Sequence, residues 1–144
     1  MIGVLIAFYG SPAWGWITGH LHHDPTPTGG RTVIIYNKTT NGNLMEEDTP
    51  AYLSTRTVQK CIEDGCAVPK LRYHTGDRLK GVTCQTSGDV ITNGSIASHA
   101  DDHNPHLATS RLWYGVRLSN GKLVYLSEVW VAPQYRGGMG LPKC

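Results

Sequence analysis

The chain has 144 residues, and its 13 Lys and Arg nearly balance its 11 Asp and Glu, so the formal net charge is only +2. The basic residues are scattered, which excludes the clustered positive stripe of a typical nucleic-acid-binding domain. Gly and Pro are frequent, at 17 and 8 residues, and no stretch after residue 25 keeps helical spacing of apolar residues for long. This composition predicts one all-β domain that does not bind nucleic acid.

The first 23 residues contain no Asp, Glu, Lys or Arg, and the run from Ile2 to Ile17 is almost wholly apolar. Roughly 20 apolar residues span a bilayer, and Trp14 and Trp16 stand near the end of the run, where interfacial tryptophans are common. Residues 1–23 are therefore predicted to be an apolar transmembrane helix that anchors the chain. A cleaved signal peptide fits less well because no basic segment comes first. The alternative is a buried N-terminal strand and turn, which Gly10-Ser11-Pro12 would support.

Residues 24–30 are rich in Pro, Thr and Gly and are predicted to be a linker. The β-domain is predicted to extend over residues 31–144. Its expected strands cover residues 32–36, 51–55, 78–84 and 89–92, with turns at 37–43 and 73–77. A long polar loop is expected at 95–110, followed by a hairpin, a short strand or turn at 127–131 and a Gly/Pro-rich tail.

Four cysteines, Cys61, Cys66, Cys84 and Cys144, lie in the predicted β-domain, and they allow three disulfide connectivities. We favour Cys61–Cys66, because Asp64-Gly65 indicates a tight hairpin between the two residues. The other pair, Cys84–Cys144, would clamp the C-terminal tail onto a strand. A zinc site is disfavoured because the chain has no C-x-x-C pair. Disulfides imply an oxidising compartment, so we expect a protein on the extracytoplasmic face of the membrane or a secreted one.

The stretch from Arg111 to Ser127 predicts a β-hairpin, because two alternating apolar and polar runs meet at Ser119-Asn120-Gly121. An Asn-Gly pair favours a tight primed turn. The first strand has two different faces. One face carries Leu112, Tyr114, Val116 and Leu118, and the other carries Arg111, Trp113 and Arg117.

The pattern of Trp113, Tyr114 and Val116, followed by Gly121 and Tyr125-Leu126-Ser127, resembles the closing hairpin of bacterial SH3-like domains. These are small barrels found mostly in cell-wall and surface proteins. Ala51-Tyr-Leu-Ser-Thr55 matches the family's first strand, and Tyr73-His-Thr-Gly-Asp-Arg-Leu79 matches the turn into its second strand. Val82-Thr-Cys-Gln-Thr86, together with the terminal Leu-Pro-x-Cys, resembles a disulfide-containing variant in actinobacterial exported proteins. The resemblance covers about residues 50–132 and implies a small barrel, to which residues 31–45 would add an N-terminal strand.

Two histidine clusters suggest metal binding. His20, His22 and His23 precede Asp24, and His99, His103 and His106 surround Asp101 and Asp102. Such groups can hold zinc, copper or calcium, but the flank of a membrane anchor and a solvated loop account equally for these compositions. A hydrolase built on Cys66 or Cys84 with His74 is excluded if the cysteines form disulfides, since a thiolate nucleophile must be unbonded. We predict no catalytic residue, no metal and no cofactor.

Aromatic side chains are the best candidates for a binding surface. The predicted site consists of Tyr52, Arg111, Trp113, Arg117, Tyr125 and Trp130. Because Trp113 shares a strand face with two arginines, we expect it to be partly exposed and flanked by guanidinium groups, as a platform for a peptide bond, sugar ring or anionic group. The alternative is that about half of these aromatic residues complete the barrel core.

The sequence therefore predicts a non-catalytic, extracytoplasmic SH3-like recognition module, tethered to the membrane through residues 1–23. Its expected partner is a cell-envelope polymer, a wall peptide or another protein. Two alternatives stay open. One is an accessory or structural subunit of a larger membrane assembly, and the other is a metal-dependent hydrolase built on the histidine clusters.

Overall fold

The computed structural model describes residues 24–40, 46–48, 51–93 and 107–144, and most of this backbone is β-structure. The strands are β1 (Arg31–Ile34), β2 (Lys38–Thr40), β3 (Glu46–Asp48), β4 (Ala51–Ser54), β5 (Ala67–Tyr73), β6 (Arg78–Thr92), β7 (Thr109–Arg117) and β8 (Leu123–Ser127). The described helical elements are a single α-turn, α1 (Cys61–Asp64), and 3-10 turns at Glu128–Trp130 and Pro133–Tyr135. The prediction of a β-protein is confirmed.

Six strands form one antiparallel sheet in the order β1-β6-β7-β8-β4-β5, while β2 and β3 pair separately. Strand β6 has 15 residues and combines two segments that the sequence analysis treats as separate strands. Its register with β7 shifts between Val82 and Cys84 and again between Ser87 and Ile91. Such irregularities bend a strand and increase its twist, and the sheet curls into a half-barrel.

The concave face of the curled sheet holds the main core. Its largest fully buried side chains include Val33, Ile35, Leu53, Leu79, Tyr114, Val116, Val124, Leu126 and Val131. The apolar face predicted for β7 is confirmed, since Tyr114, Val116 and Leu118 are buried there and Leu112 packs against them. The chain after β8 returns to β1, where Ile35 pairs with Val131 and the Ala132 amide donates to the Ile34 carbonyl at 2.9 Å.

The β7–β8 hairpin is confirmed, but its turn is not the predicted primed type. The Gly121 amide donates to the Leu118 carbonyl at 2.8 Å, and the Leu118 amide donates to the Lys122 carbonyl at 2.9 Å. Of the turn residues, Gly121 alone has a positive φ, at 86°. This is a three-residue loop with a left-handed final residue, so the positive φ falls on the residue that has no Cβ.

The two predicted disulfides, Cys61–Cys66 and Cys84–Cys144, are both present. The segment between Cys61 and Cys66 is not the expected hairpin. It is the helical turn α1, which ends at Gly65 with a left-handed φ of 75°. The helical turn places these two cysteines, five positions apart, at a Cα–Cα distance of 4.7 Å. This distance lies within the range for a disulfide, which a tight hairpin would also provide.

The C-terminal tail lies along β6 and is fixed at several points. The Gln85 amide donates to the Pro142 carbonyl at 2.9 Å, and the Cys144 amide donates to the Gln85 carbonyl at 2.9 Å. The buried Tyr114 hydroxyl accepts from the Gly138 amide at 3.0 Å and donates to the Tyr135 carbonyl. Burial raises the pKa of Tyr114 above its ordinary value, so this phenol stays protonated and able to donate. The disulfide thus closes a tail that is already hydrogen-bonded.

Residues 24–30, predicted to be a linker, are hydrogen-bonded to the hairpin. The Thr28 amide donates to the Arg117 carbonyl at 3.0 Å, and the Ser119 amide donates to the Thr26 carbonyl at 2.7 Å. Pro27 forms an isolated bridge with Leu118. The segment therefore packs as part of the β-domain, and the division into anchor and domain stays a prediction.

The predicted membrane segment, residues 1–23, lies outside the described residues, as do the side chains of both histidine clusters apart from Asp24. Within the described ranges, no helix is long and apolar enough to cross a bilayer.

Candidate functional site

A second, smaller core lies on the other face of the sheet, and Trp113 is at its centre. Trp113 is only 4% exposed and packs with Ile91 and Val129. Its indole Nε1 donates to the Asp89 carbonyl at 3.0 Å. The expectation that Trp113 is a partly exposed platform is therefore wrong.

The burial of Trp113 follows from two neighbouring elements that cover its side of the sheet. Strand β6 continues beyond its second irregularity to Ile91 and Thr92, which pair with the start of β7. After β8 the chain turns at Glu128–Trp130 and places Val129, fully buried, against the indole. Alternation along β7 correctly assigns Trp113 to the face opposite the main core. Alternation does not reveal whether a distant segment covers that face.

Beside this second core is a cleft of about 320 Å³. It lies between β4, the end of β6, the end of β8 and the Glu128–Trp130 turn. We call it the aromatic cleft and define it by Tyr52, Ser54, Lys60, Trp113, Ser127 and Trp130, which all line it. Trp113 and Ser127 are direct partners across β7 and β8, so they form adjacent parts of its floor.

The loop of residues 55–60 forms one wall of the aromatic cleft and is tied to β6. The Gln59 amide donates to Asp89 Oδ2 at 3.1 Å, and Gln59 Nε2 donates to the Val90 carbonyl at 2.7 Å. The Asp89 amide donates to the Thr57 carbonyl at 3.0 Å. Asp89 therefore contacts this loop through its amide and side chain and contacts Trp113 through its carbonyl.

The Cys61–Cys66 disulfide also stabilises this wall of the aromatic cleft. The Thr55 amide donates to the Cys66 carbonyl at 2.8 Å, where the loop leaves β4. Cys61 follows Lys60 directly, so the disulfide connects the two ends of the loop. Both cysteines are buried. The wall is consequently held at both ends and along its length, which favours a preformed cleft.

Tyr52 is the half-buried aromatic residue of the cleft on the β4 side. The guanidinium carbon of Arg72 lies 5.5 Å from the centroid of the Tyr52 ring, within the range of a cation–π contact. Arg72 also donates through NH1 to the Val68 and Leu71 carbonyls. The ring is thereby supported by a side chain whose own position is fixed.

The structure brings together three of the six residues predicted to bind. Tyr52, Trp113 and Trp130 line the cleft. Tyr125 is half-buried against the second core. Arg111 is exposed, and Arg117 is exposed with its NH1 donating to the Gly121 carbonyl at 2.9 Å. Tyr125, Arg111 and Arg117 are not among the described residues that line the cleft. A role in binding stays a prediction for all six.

Sequence analysis missed Ser54, Lys60 and Ser127 as members of the site. Ser54 and Ser127 end strands β4 and β8, and Lys60 precedes α1. Isolated serines and a lone lysine carry no motif, so no pattern in the sequence singles them out. Only the packing of β4 beside β8, with Ser54 opposite Tyr125, brings the strand ends together.

The polar groups beside the cleft hold the Glu128–Trp130 turn in place. Glu128 accepts from the Ser110 hydroxyl and, through Oε1, from the Gly137 amide at 2.7 Å. Arg136 donates to the Val129 and Val131 carbonyls. Burial lowers the pKa of Arg136 while the charge of Glu128 raises it. Glu128 and Arg136 therefore stabilise the Glu128–Trp130 turn.

A second cavity, of about 450 Å³, lies on another side of the domain between the N-terminal segment, β5 and the hairpin. It is lined by Val68, Leu118 and Val124 among others, with no aromatic residue in its described lining. Lys70 Nζ and Asp24 Oδ2 form an ion pair at its edge, 3.1 Å apart and well exposed. An exposed pair of this kind contributes little to stability or binding, so the aromatic cleft is the stronger candidate.

Within the described part of the chain, no three His, Cys, Asp or Glu side chains come together as a metal site would require. Comparisons with protein-family models, curated proteins and solved structures find no match to this chain.

Proposed function

We propose that this protein is a non-catalytic, extracytoplasmic recognition module of the SH3-like type, whose aromatic cleft binds a segment of cell-envelope polymer or wall peptide. The observation that carries the proposal is the cleft, in which Tyr52 and Trp130 present aromatic surface beside a wall fixed by Gln59 and the Cys61–Cys66 disulfide. Concave, largely apolar sites with a few polar groups are typical of ligand binding.

Two further features support this proposal. The curled antiparallel sheet, a half-barrel, is compatible with the small barrel that the resemblance to SH3-like domains implies. The two disulfides are compatible with an oxidising, extracytoplasmic environment. Residues 1–23 then serve as the membrane tether, and the folded β-domain faces the envelope.

Co-sedimentation of the full chain with purified peptidoglycan tests the proposal. Tyr52→Ala should weaken binding at least about fivefold, because aromatic residues in such sites tend to dominate affinity. Tyr73→Ala is the matched control, since Tyr73 is also half-buried but packs against the main core and does not line the described cleft. Urea denaturation of both variants checks that each stays folded.

Three outcomes count against the proposal. Failure of the unaltered chain to sediment with peptidoglycan removes the polymer as ligand. Equal effects of Tyr52→Ala and Tyr73→Ala place binding outside the cleft. Unchanged binding by a folded Tyr52→Ala variant leads to the same conclusion.

A further inference from the structure

The side chain of Ser54 is a buried hydroxyl in the aromatic cleft. Ser54 is 3% exposed and lines the aromatic cleft. Its Oγ has no hydrogen-bond partner among the residues that the structure describes. Leaving a buried polar group unsatisfied costs free energy, so a group supplied from outside, in the cleft, is the natural partner.

Ser127 provides a second hydroxyl in the same floor. It is fully buried, and its Oγ accepts from the Val129 amide at 3.3 Å. No described acceptor takes its proton. The Ser54 hydroxyl therefore has a donor to offer a ligand, because a hydroxyl donates one hydrogen bond. Ser127 has no exposed surface and contributes to the floor of the cleft.

The charges of the cleft favour a ligand that accepts hydrogen bonds. Lys60 is the one charged side chain in the described lining, and no carboxylate appears there. One N–H of the Gln59 side-chain amide donates to the Val90 carbonyl. The rest of the described lining is mostly apolar, as with Ile91 and Trp130.

We infer that the aromatic cleft binds the carboxyl-terminal end of a peptide. The carboxylate accepts from Ser54 and faces Lys60, while the last side chain lies against Trp130 and Ile91. This inference rests on the proposed function and specifies its ligand. A volume of about 320 Å³ is at the small end for ligand sites, which suits a chain end. A sugar ring would present many hydroxyl donors to a lining that is poor in acceptors.

Calorimetric titration of the full chain with N-acetylated dipeptides tests the carboxylate. The probes end in alanine or leucine, in L and D forms, and each is compared with its C-terminal amide. The free acid should bind about tenfold or more tightly than the amide, because hydrogen bonds to a charged acceptor are the stronger kind. Lys60→Gln should remove part of this preference, whereas Lys80→Gln, at an exposed site that does not line the cleft, should not.

Ser54→Ala separates a ligand-binding role from a structural one. Its midpoint of urea denaturation should stay unchanged or rise, because the lost hydroxyl has no hydrogen-bond partner among the described residues, while affinity for the free acid falls several-fold. Thr75→Val is the matched control, because it also removes a hydroxyl. The Thr75 hydroxyl accepts from the Asn37 amide at 2.8 Å and lies outside the described lining of the cleft, so this variant should lose stability and keep its affinity.

Equal binding of acid and amide overturns the inference, and so does unchanged affinity in a folded Ser54→Ala variant. If no dipeptide binds but the chain still sediments with peptidoglycan through Tyr52, the proposed function stands and the peptide end is the wrong ligand. If a peptide-free glycan fragment binds with the same dependence on Tyr52 and Ser54, the inference also fails. Loss of both peptidoglycan and dipeptide binding removes the proposed function itself.

Discussion

Trp113 has the largest side chain of β7. The alternation of side chains along the strand assigns it to the face opposite the main core. In the fold its indole is enclosed by Ile91 and Val129, and its N–H is satisfied by the Asp89 carbonyl. Trp113 therefore stabilises the floor of the aromatic cleft, and the half-buried Tyr52 and Trp130 provide the surface that a ligand would contact.

We predict that Trp113→Ala destabilises the domain by about 3–5 kcal/mol, as expected for a buried tryptophan. Trp113→Phe should cost about 1–3 kcal/mol, because the Asp89 carbonyl loses its donor. Urea denaturation measures both values. A loss below about 1 kcal/mol for Trp113→Ala would show that the indole is not a core group.

Gly115, two positions after Trp113, lies under the long disulfide. A Cβ at this position would lie 2.4 Å from Cys84 Sγ and 2.7 Å from Cys144 Sγ. No ordinary packing allows such distances, so the absence of a side chain at residue 115 is what lets the Cys84–Cys144 disulfide lie against β7.

Gly115→Ala should therefore destabilise the oxidised protein by about 1–3 kcal/mol, the usual range for overpacking. Cys144→Ser replaces one of the two crowded sulfur atoms and breaks the disulfide. In the double variant the added cost of Gly115→Ala should consequently be smaller, and a double-mutant cycle by urea denaturation measures this coupling. Additive effects of the two changes would contradict the proposed crowding.

At the scale of elements, α1 and the loop before it are organised by the short disulfide. The disulfide closes a loop with a sequence separation of 5, whereas Cys84–Cys144 closes one of 60. The entropy of loop closure makes the longer bond the more stabilising of the two. The shorter bond has the more local role, because it joins the ends of the wall of the aromatic cleft.

Replacing Cys61 and Cys66 together with Ser should cost about 2 kcal/mol, against about 4 kcal/mol for the same change at Cys84 and Cys144. Urea denaturation under oxidising conditions gives both values. Peptidoglycan binding should weaken more in the Cys61/Cys66 variant, despite its smaller loss of stability. The reverse order of binding losses would show that the short disulfide does not shape the cleft.

Strand β5 is an edge strand whose composition discourages pairing with another chain. Pro69 offers no amide donor, Lys70 has a positive φ of 66°, and the Arg72 guanidinium covers the Val68 and Leu71 carbonyls. Charged residues and prolines at edges oppose intermolecular pairing. Recognition through an added strand is therefore disfavoured at β5, which leaves the cleft as the better surface.

At the scale of the whole molecule, residues 24–30 complete the domain instead of merely leading into it. Their bonds reach both the hairpin and β6, since the Gly81 amide donates to the Gly29 carbonyl at 2.7 Å. Any tether formed by residues 1–23 consequently joins the β-domain at a docked segment.

A chain that begins at Asp24 should keep the urea midpoint of the full chain. One that begins at Arg31 should lose about 2 kcal/mol or more, because four hydrogen bonds of Thr26, Thr28 and Gly29 are removed and each contributes about 0.5–1.5 kcal/mol. Equal midpoints for the two shortened chains would show that residues 24–30 act as a simple linker.

Local patterns in the sequence determined the β-class, the β7–β8 hairpin, the core face of Tyr114 and Val116, and the pairing of Cys61 with Cys66. Each of these follows from alternation, turn chemistry or spacing along the chain, which act between near neighbours. The exception among local features is α1, because a helical turn and a tight hairpin bring Cys61 and Cys66 to similar distances.

Tertiary structure alone decided the burial of Trp113, the docking of residues 24–30 and the membership of the aromatic cleft. Ser54, Lys60 and Ser127 come together with Trp130 because β4 pairs beside β8 and the chain turns back after Ser127. Alternation specifies on which side of a strand a residue lies. Which distant segment covers that side depends on contacts between residues far apart in sequence, and no local pattern encodes those contacts.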